Sequence, residues 1–244
     1  MKKRFAVLAA LSMVMLGATN VQAQNLLTNG TLDATYDQEI VPGFFLPKPA
    51  SWVNVGSRTL TGPYEDEMSS EPWAGPAPTP VTTGGADGGD WAVFFKPFSG
   101  NPTDGAATGH LYQDVPATPG VRYNLSGWAG AEANFLAQGA EIALEFLDGG
   151  GSVIGGQVVN LLPTLTLDNG LAFDYKQYNA SGVAPAGAVS VRSRASMIGA
   201  TGNPAGGGQA FVVDDFVLVA VPEPATLGLL GLGLLGLTAI RRRK

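Results

Sequence analysis

Two adjacent carboxylates, Asp214 and Asp215, interrupt the apolar run from Phe211 to Leu218. In an extended strand neighbouring side chains point to opposite faces, so at least one of these acids faces the protein or its rim. An unpaired carboxylate there is costly, and a calcium ion, which takes oxygen ligands, would offset that cost. The plainer alternative is that both acids are exposed or bonded to backbone amides. Aromatic residues suggest a second chemistry. Trp52, Tyr64 and Trp73 lie in loop-like sequence rich in Pro and Gly. An exposed ring there can stack on the apolar C–H face of a sugar while polar neighbours bond its hydroxyls; packing in a core is the competing use. Trp91 and Trp128 fall in strand-like runs and read as core.

Other constellations carry less. Glu141 and Glu145 share a strand face and could imitate the carboxylate pair of a glycosidase, but their alternation with Ile142, Leu144 and Phe146 reads as a solvated face. His110 could serve a Ser-His-Asp site, yet no G-x-S-x-G elbow is present. Neither a phosphate-binding loop nor a dinucleotide fingerprint occurs. The run Gly84 to Asp90 has the composition of a calcium loop, but a single copy reads as a turn. With no cysteine and one histidine, the chain has no disulfide, thiolate metal site, cysteine nucleophile or multi-histidine metal site.

The elements that must position these residues are extended. The 244 residues are 45% hydrophobic and 14% charged, which suits a packed domain and not a disordered chain. No helical period of useful length runs between residues 24 and 220. Alternation is common instead, in Trp91 to Phe95, Leu111 to Val115, Arg122 to Trp128, Glu141 to Phe146, Val189 to Arg194 and Phe211 to Val219. Gly149-Gly150-Gly151 turns the chain between Phe146 and the strand-like Val153 to Val159. Asn25 to Asp33 is expected to open the domain as a strand. Eight or more short strands with Gly/Pro turns predict an all-β sandwich. Residues 36–88 and 99–109 are expected as long loops, where binding surfaces usually sit.

Both ends read as addresses. Met1-Lys2-Lys3-Arg4, the twelve apolar residues Phe5 to Leu16 and the small residues up to Ala23 have the order of a signal peptide spanning residues 1–23. At the other end, Val221-Pro222-Glu223-Pro224 precedes sixteen uncharged residues, Ala225 to Ile240, and then Arg241-Arg242-Arg243-Lys244. As a helix the apolar run spans about 24 Å, short of a ~30 Å bilayer core, but the terminal arginines can snorkel. The basic cluster should stay cytoplasmic, leaving the bulk of the chain outside. Residues 24–240 hold seven basic and twenty acidic side chains, a net charge of −13. Such a surface disfavours nucleic acid and suits a neutral polymer, a cation or a basic partner, or simply solubility.

The end of the chain resembles the PEP-CTERM sorting signal of Gram-negative bacteria, with Pro222, Glu223 and Pro224 as its motif and residues 221–244 as the whole signal. That resemblance implies a transient membrane anchor, processing by an exosortase after signal peptidase has acted, and delivery to the cell surface or medium, often alongside exopolysaccharide. Most of residues 25–219, within the expected domain of residues 24–220, are similar in their order of short motifs to galactose-binding-like jelly rolls, especially carbohydrate-binding modules. The matching runs are Asn25 to Asp33, Leu111 to Trp128 and Phe211 to Leu218. In those modules an acid ending the first segment and one in the last strand help hold a structural calcium. The resemblance therefore implies calcium at Asp33 and Asp215, with Asp214 as the other candidate, although the family's usual Glu is replaced by the shorter Asp33. The functional expectation is an exported, non-catalytic protein that binds extracellular polysaccharide. A purely structural or adhesive matrix protein and a polysaccharide hydrolase are the alternatives.

Overall fold

The computed structural model describes residues 24–58, 68–72, 91–96, 105–165 and 175–221. Among them the chain forms twelve strands and no helix: β1 (Thr35–Val41), β2 (Phe44–Pro49), β3 (Val53–Arg58), β4 (Met68–Glu71), β5 (Ala92–Phe95), β6 (Ala107–Pro116), β7 (Arg122–Ala131), β8 (Gly139–Leu147), β9 (Val153–Asn160), β10 (Lys176–Val183), β11 (Ser190–Ala200) and β12 (Phe211–Val221). β1 and β2 pair as a hairpin. The other strands form two five-stranded sheets, ordered β10-β7-β12-β5-β4 and β3-β6-β11-β8-β9. All pairings are antiparallel.

The alternation seen in the sequence makes these sheets. Leu111, Ile142, Leu144, Phe146 and Val191 point inward from one sheet, and Tyr123, Leu125, Phe211, Val213 and Leu218 from the other. Each large apolar side chain so buried contributes about 1.5–3 kcal/mol. The rings of Tyr123 on β7 and Phe146 on β8 meet edge to face at 5.9 Å, across the gap between the sheets. From β6 to β7, β7 to β8, β9 to β10, β10 to β11 and β11 to β12 the chain changes sheet at every step. That repeated crossing makes the expected jelly-roll β-sandwich.

The opening and closing segments lie side by side, but Asn25 to Asp33 is not a strand. It is a series of turns, with Asn29 and Leu32 in the left-handed region at φ 52° and 59°. Four hydrogen bonds tie it to β12 all the same. The Leu26 amide donates to the Leu218 carbonyl at 2.8 Å and the Phe216 amide donates to the Gly30 carbonyl at 2.7 Å. The Asn25 side chain donates to the Phe216 carbonyl and accepts from the Leu218 amide, both at 2.9 Å.

Three other expectations change. Residues 36–88, expected as loop, contain β1 to β4. β10 is a strand with no counterpart in the reading of the sequence. Trp52, expected to offer a ring to sugar, is 4% exposed. Its indole N–H donates to the Asn29 carbonyl at 2.9 Å and its ring lies 5.2 Å from that of Phe216, so the side chain belongs to the core. Tyr64 and Trp73, the signal peptide and the apolar tail segment lie outside the described residues.

Candidate functional site

The outer face of the β3-β6-β11-β8-β9 sheet gathers polar and charged side chains on its three central strands. Register places them. On β11, Arg192 stands opposite Asp114 of β6 and Glu145 of β8, Arg194 opposite Tyr112 and Ala143, and Ser196 opposite His110 and Glu141. Val53 and Val55 of β3 flank Tyr112 and His110 on one side, and Val158 of β9 flanks Ala143 on the other. All three valines are exposed.

Two arginines organise the face. Arg192 makes a bidentate pair with Asp114, Nε to Oδ1 at 2.7 Å and Nη2 to Oδ2 at 2.8 Å, and its guanidinium sits 3.9 Å from the centre of the Tyr112 ring. Such parallel bonds fix both planes. Arg194 reaches two carboxylates, Glu145 Oε1 at 2.7 Å through Nη2 and Glu141 Oε2 at 3.1 Å through Nη1. Its side chain is 14% exposed. Burial works against its charge, but hydrogen bonding and attraction from Glu145, then Glu141, outweigh that and raise its pKa. The bond to Asp114 does the same for Arg192, against a smaller effect of burial.

Ser196 joins this network to His110. Its Oγ accepts from Arg194 Nη1 and lies 2.7 Å from His110 Nδ1. The guanidinium only donates, so the Ser196 oxygen accepts from it and keeps one lone pair and its proton, either of which can meet Nδ1 according to the imidazole tautomer. Burial, followed by the nearby Arg194 charge, lowers the His110 pKa below 6.5, outweighing Glu141 and Glu145.

This arrangement presents planar, fixed donors and acceptors between exposed aliphatic edges. It suits vicinal hydroxyls on a ring with apolar C–H faces. It does not suit the hydrolytic roles considered for these residues. Glu141 and Glu145 are both held by Arg194, and Ser196, at 0% exposure, offers no nucleophile to a substrate. Tyr112, Arg192 and Arg194 drew no attention in the sequence because their complementarity runs across strands. Only the alternation of Val191, Arg192, Ser193 and Arg194 hinted that two cations share one face.

The acids expected to hold calcium sit where the first and last segments meet. Asp33 Oδ1 accepts from the Trp91 amide at 2.9 Å, just before β5, whose Val93 pairs with Val213 of β12. Asp214 is fully buried and its Oδ1 accepts from the Asp215 amide at 2.7 Å. Asp215 itself takes a left-handed φ of 49° at the irregularity between Asp214 and Val217. Oxygen donors of this kind fit a hard cation, but among the described residues no three acidic or histidine side chains cluster to hold one. A calcium ion here would therefore draw on main-chain carbonyls as well.

Comparison with known proteins adds three facts. Residues 220–244 match the PEP-CTERM protein-sorting motif. No curated relative matches the chain. Among solved structures, the xylan-binding domain CBM22-1 of Xyn10C from Paenibacillus barcinonensis is 10% identical with a TM-score of 0.46, over 84% of this chain and 100% of that one. TmCBM61 in complex with β-1,4-galactotriose is 20% identical with a TM-score of 0.45, over 82% and 100%. The enzymatically active domain of tailspike protein 4 from bacteriophage CBA120 is 13% identical with a TM-score of 0.47; the match takes in 81% of this chain but spans only 21% of the tailspike chain. By its own strand topology the protein is a jelly-roll β-sandwich, and residues 220–244 carry a protein-sorting motif.

Proposed function

We propose that this is an exported protein of the cell surface or extracellular matrix whose sandwich binds polysaccharide without cleaving it. Residues 1–23 serve as the signal peptide, 24–220 as the binding domain and 221–244 as the signal processed by exosortase at Pro222-Glu223-Pro224. The apolar tail anchors the chain in the inner membrane until that step.

The observation that carries the binding role is the outer face of β3-β6-β11-β8-β9. Tyr112, Arg192 and Asp114 form one fixed unit, and Arg194, Glu141 and Glu145 another, beside the exposed Val53, Val55 and Val158. The net charge of −13 over residues 24–240 favours an uncharged polymer. Calcium belongs to the same proposal, with Asp33 and Asp215 as its side-chain ligands, Asp214 as the alternative to Asp215, main-chain carbonyls completing the set and a purely structural role.

One observation favours a second reading, a structural or adhesive unit with no glycan ligand: the arginines of this face are already paired with carboxylates. Retention of the protein on a panel of insoluble and gel-embedded polysaccharides separates the two. Retention that weakens in Tyr112→Ala supports binding by this face, and passage through every polymer favours the structural unit. Release of reducing sugar from any of them would make the protein a hydrolase.

A further inference from the structure

The opposite face of the sandwich has a surface of a different kind. On the outer side of β10, β7 and β12, register sets rows across three strands. Gln177, Trp128 and Asp214 form one row, Asn179, Ser126 and Val217 the next, and Ser181, Asn124 and Val219 the third. The last two rows line an open cavity of about 450 Å³. Gln157 of β9 closes one side, where its Oε1 accepts from the Ser181 amide at 2.7 Å. None of the lining side chains is ionisable. Asp214, in the adjoining row, is fully buried and brings no charge to the surface.

We propose that this groove is a second glycan site, one that takes an uncharged saccharide chain. The inference rests on the carbohydrate-binding reading above but uses none of its residues. Amides and hydroxyls each donate and accept, as sugar hydroxyls do, so Asn124, Ser126, Asn179 and Ser181 can satisfy a ring in more than one orientation. Val217, 40% exposed, and Val219 offer the C–H faces an apolar floor, and Trp128, half-buried, continues the line one row further. The volume lies in the range of small-ligand sites, roughly 300–1,000 Å³. The lining holds no cation and a single exposed arginine, Arg122, stands one row beyond Asn124, so a polyanion finds little to offset repulsion from an acidic protein. β7 and β12 are paired on both sides, so a peptide adding as an edge strand has no place at the groove's centre. Sites on opposite faces would let one molecule bridge two polysaccharide chains, a role for which geometry and not tightness decides the outcome.

The test is a calorimetric titration of the full chain in detergent with neutral hexasaccharides of β-1,4-linked glucose, xylose, mannose and galactose, with oligogalacturonate as the anionic control. The expected result is two equivalents of a neutral hexasaccharide. Asn124→Ala/Asn179→Ala, both at exposed positions, removes one equivalent, and Tyr112→Ala/Arg192→Ala removes the other. A single equivalent, lost in Tyr112→Ala/Arg192→Ala and unaffected by the asparagine changes, overturns the second site and leaves the first. A single equivalent lost only with the asparagines supports the groove and moves the binding role away from the charged face. Oligogalacturonate filling the groove as well as the neutral sugars do, or no sugar bound by the wild type, also overturns the inference; the second result removes the carbohydrate-binding reading with it.

Discussion

Phe216 donates its amide to the Gly30 carbonyl at 2.7 Å while its ring closes over Gly127. One residue thus ties the opening segment to the closing strand and seals the core beneath β7. A Cβ at position 127 would lie 2.6 Å from the ring, so Gly127→Ala forces the ring or the strand to move. That overpacking should cost about 1–3 kcal/mol, and Phe216→Ala about 3–5 kcal/mol. Urea unfolding midpoints measure both. Combining Gly127→Ala with Phe216→Leu should cost less than the sum of the single changes, because the two share one space.

Arg194 is expected to hold the charged face together. Arg194→Met leaves Glu141 and Glu145 without their shared cation on a partly covered surface. The expected loss is about 2 kcal/mol, below that for a fully buried pair because all three side chains retain some solvent. The double change Arg194→Met/Glu145→Gln should recover part of it. Equal stability of Arg194→Met and wild type would show that the network contributes nothing to the fold.

Stability should depend on pH through His110. Its folded pKa lies below 6.5, chiefly through burial and then through Arg194. Between that value and 6.5 the unfolded chain binds more protons than the folded one, so stability is full above 6.5, declines as the pH falls through it and levels off below the folded value. Protonation would also set a second cation beside Arg194. Urea midpoints followed from about pH 7.5 to about pH 5 should show this decline in wild type and a flatter profile in His110→Gln.

Calcium, if held between Asp33 and Asp215, stabilises the fold by mass action. At a free concentration of about 100 times its Kd the gain is about 2.7 kcal/mol. Chelation should lower the Tm, calcium should restore it, and Asp33→Ala/Asp215→Ala should abolish the difference. A melt that is the same with and without chelator removes the ion from the account.

Strands with large apolar residues on their inner face could be read directly. β8 alternates Ile142, Leu144 and Phe146 with Glu141 and Glu145, and it forms within two residues of its expected limits. β10 escaped because its inward residues are Tyr178 and Ala180 among Asn, Ser and Gly, so the period is present but faint. β1 and β2 escaped for another reason: Tyr36, Asp37, Gln38 and Glu39 are all exposed, and Pro47 and Pro49 read as breakers, yet they sit in a hairpin outside both main sheets. That the opening segment lies beside the closing strand was implied by the resemblance to jelly rolls and not by any local pattern. The charged face did not, because His110, Arg194, Ser196 and Glu141 come from three strands and meet only through register. Trp52 misled because its flanks resemble a loop, whereas its indole N–H is bonded to the turn at Asn29.

The central claim is that the charged face holds polysaccharide. The direct measurement is electrophoresis of the full chain through native gels cast with the producing cell's own exopolysaccharide. Wild type should be retarded in proportion to the polymer, Tyr112→Ala/Arg194→Met should be retarded clearly less, and no reducing sugar should appear. Equal mobility of wild type in loaded and blank gels, or equal retardation of both proteins, would contradict it.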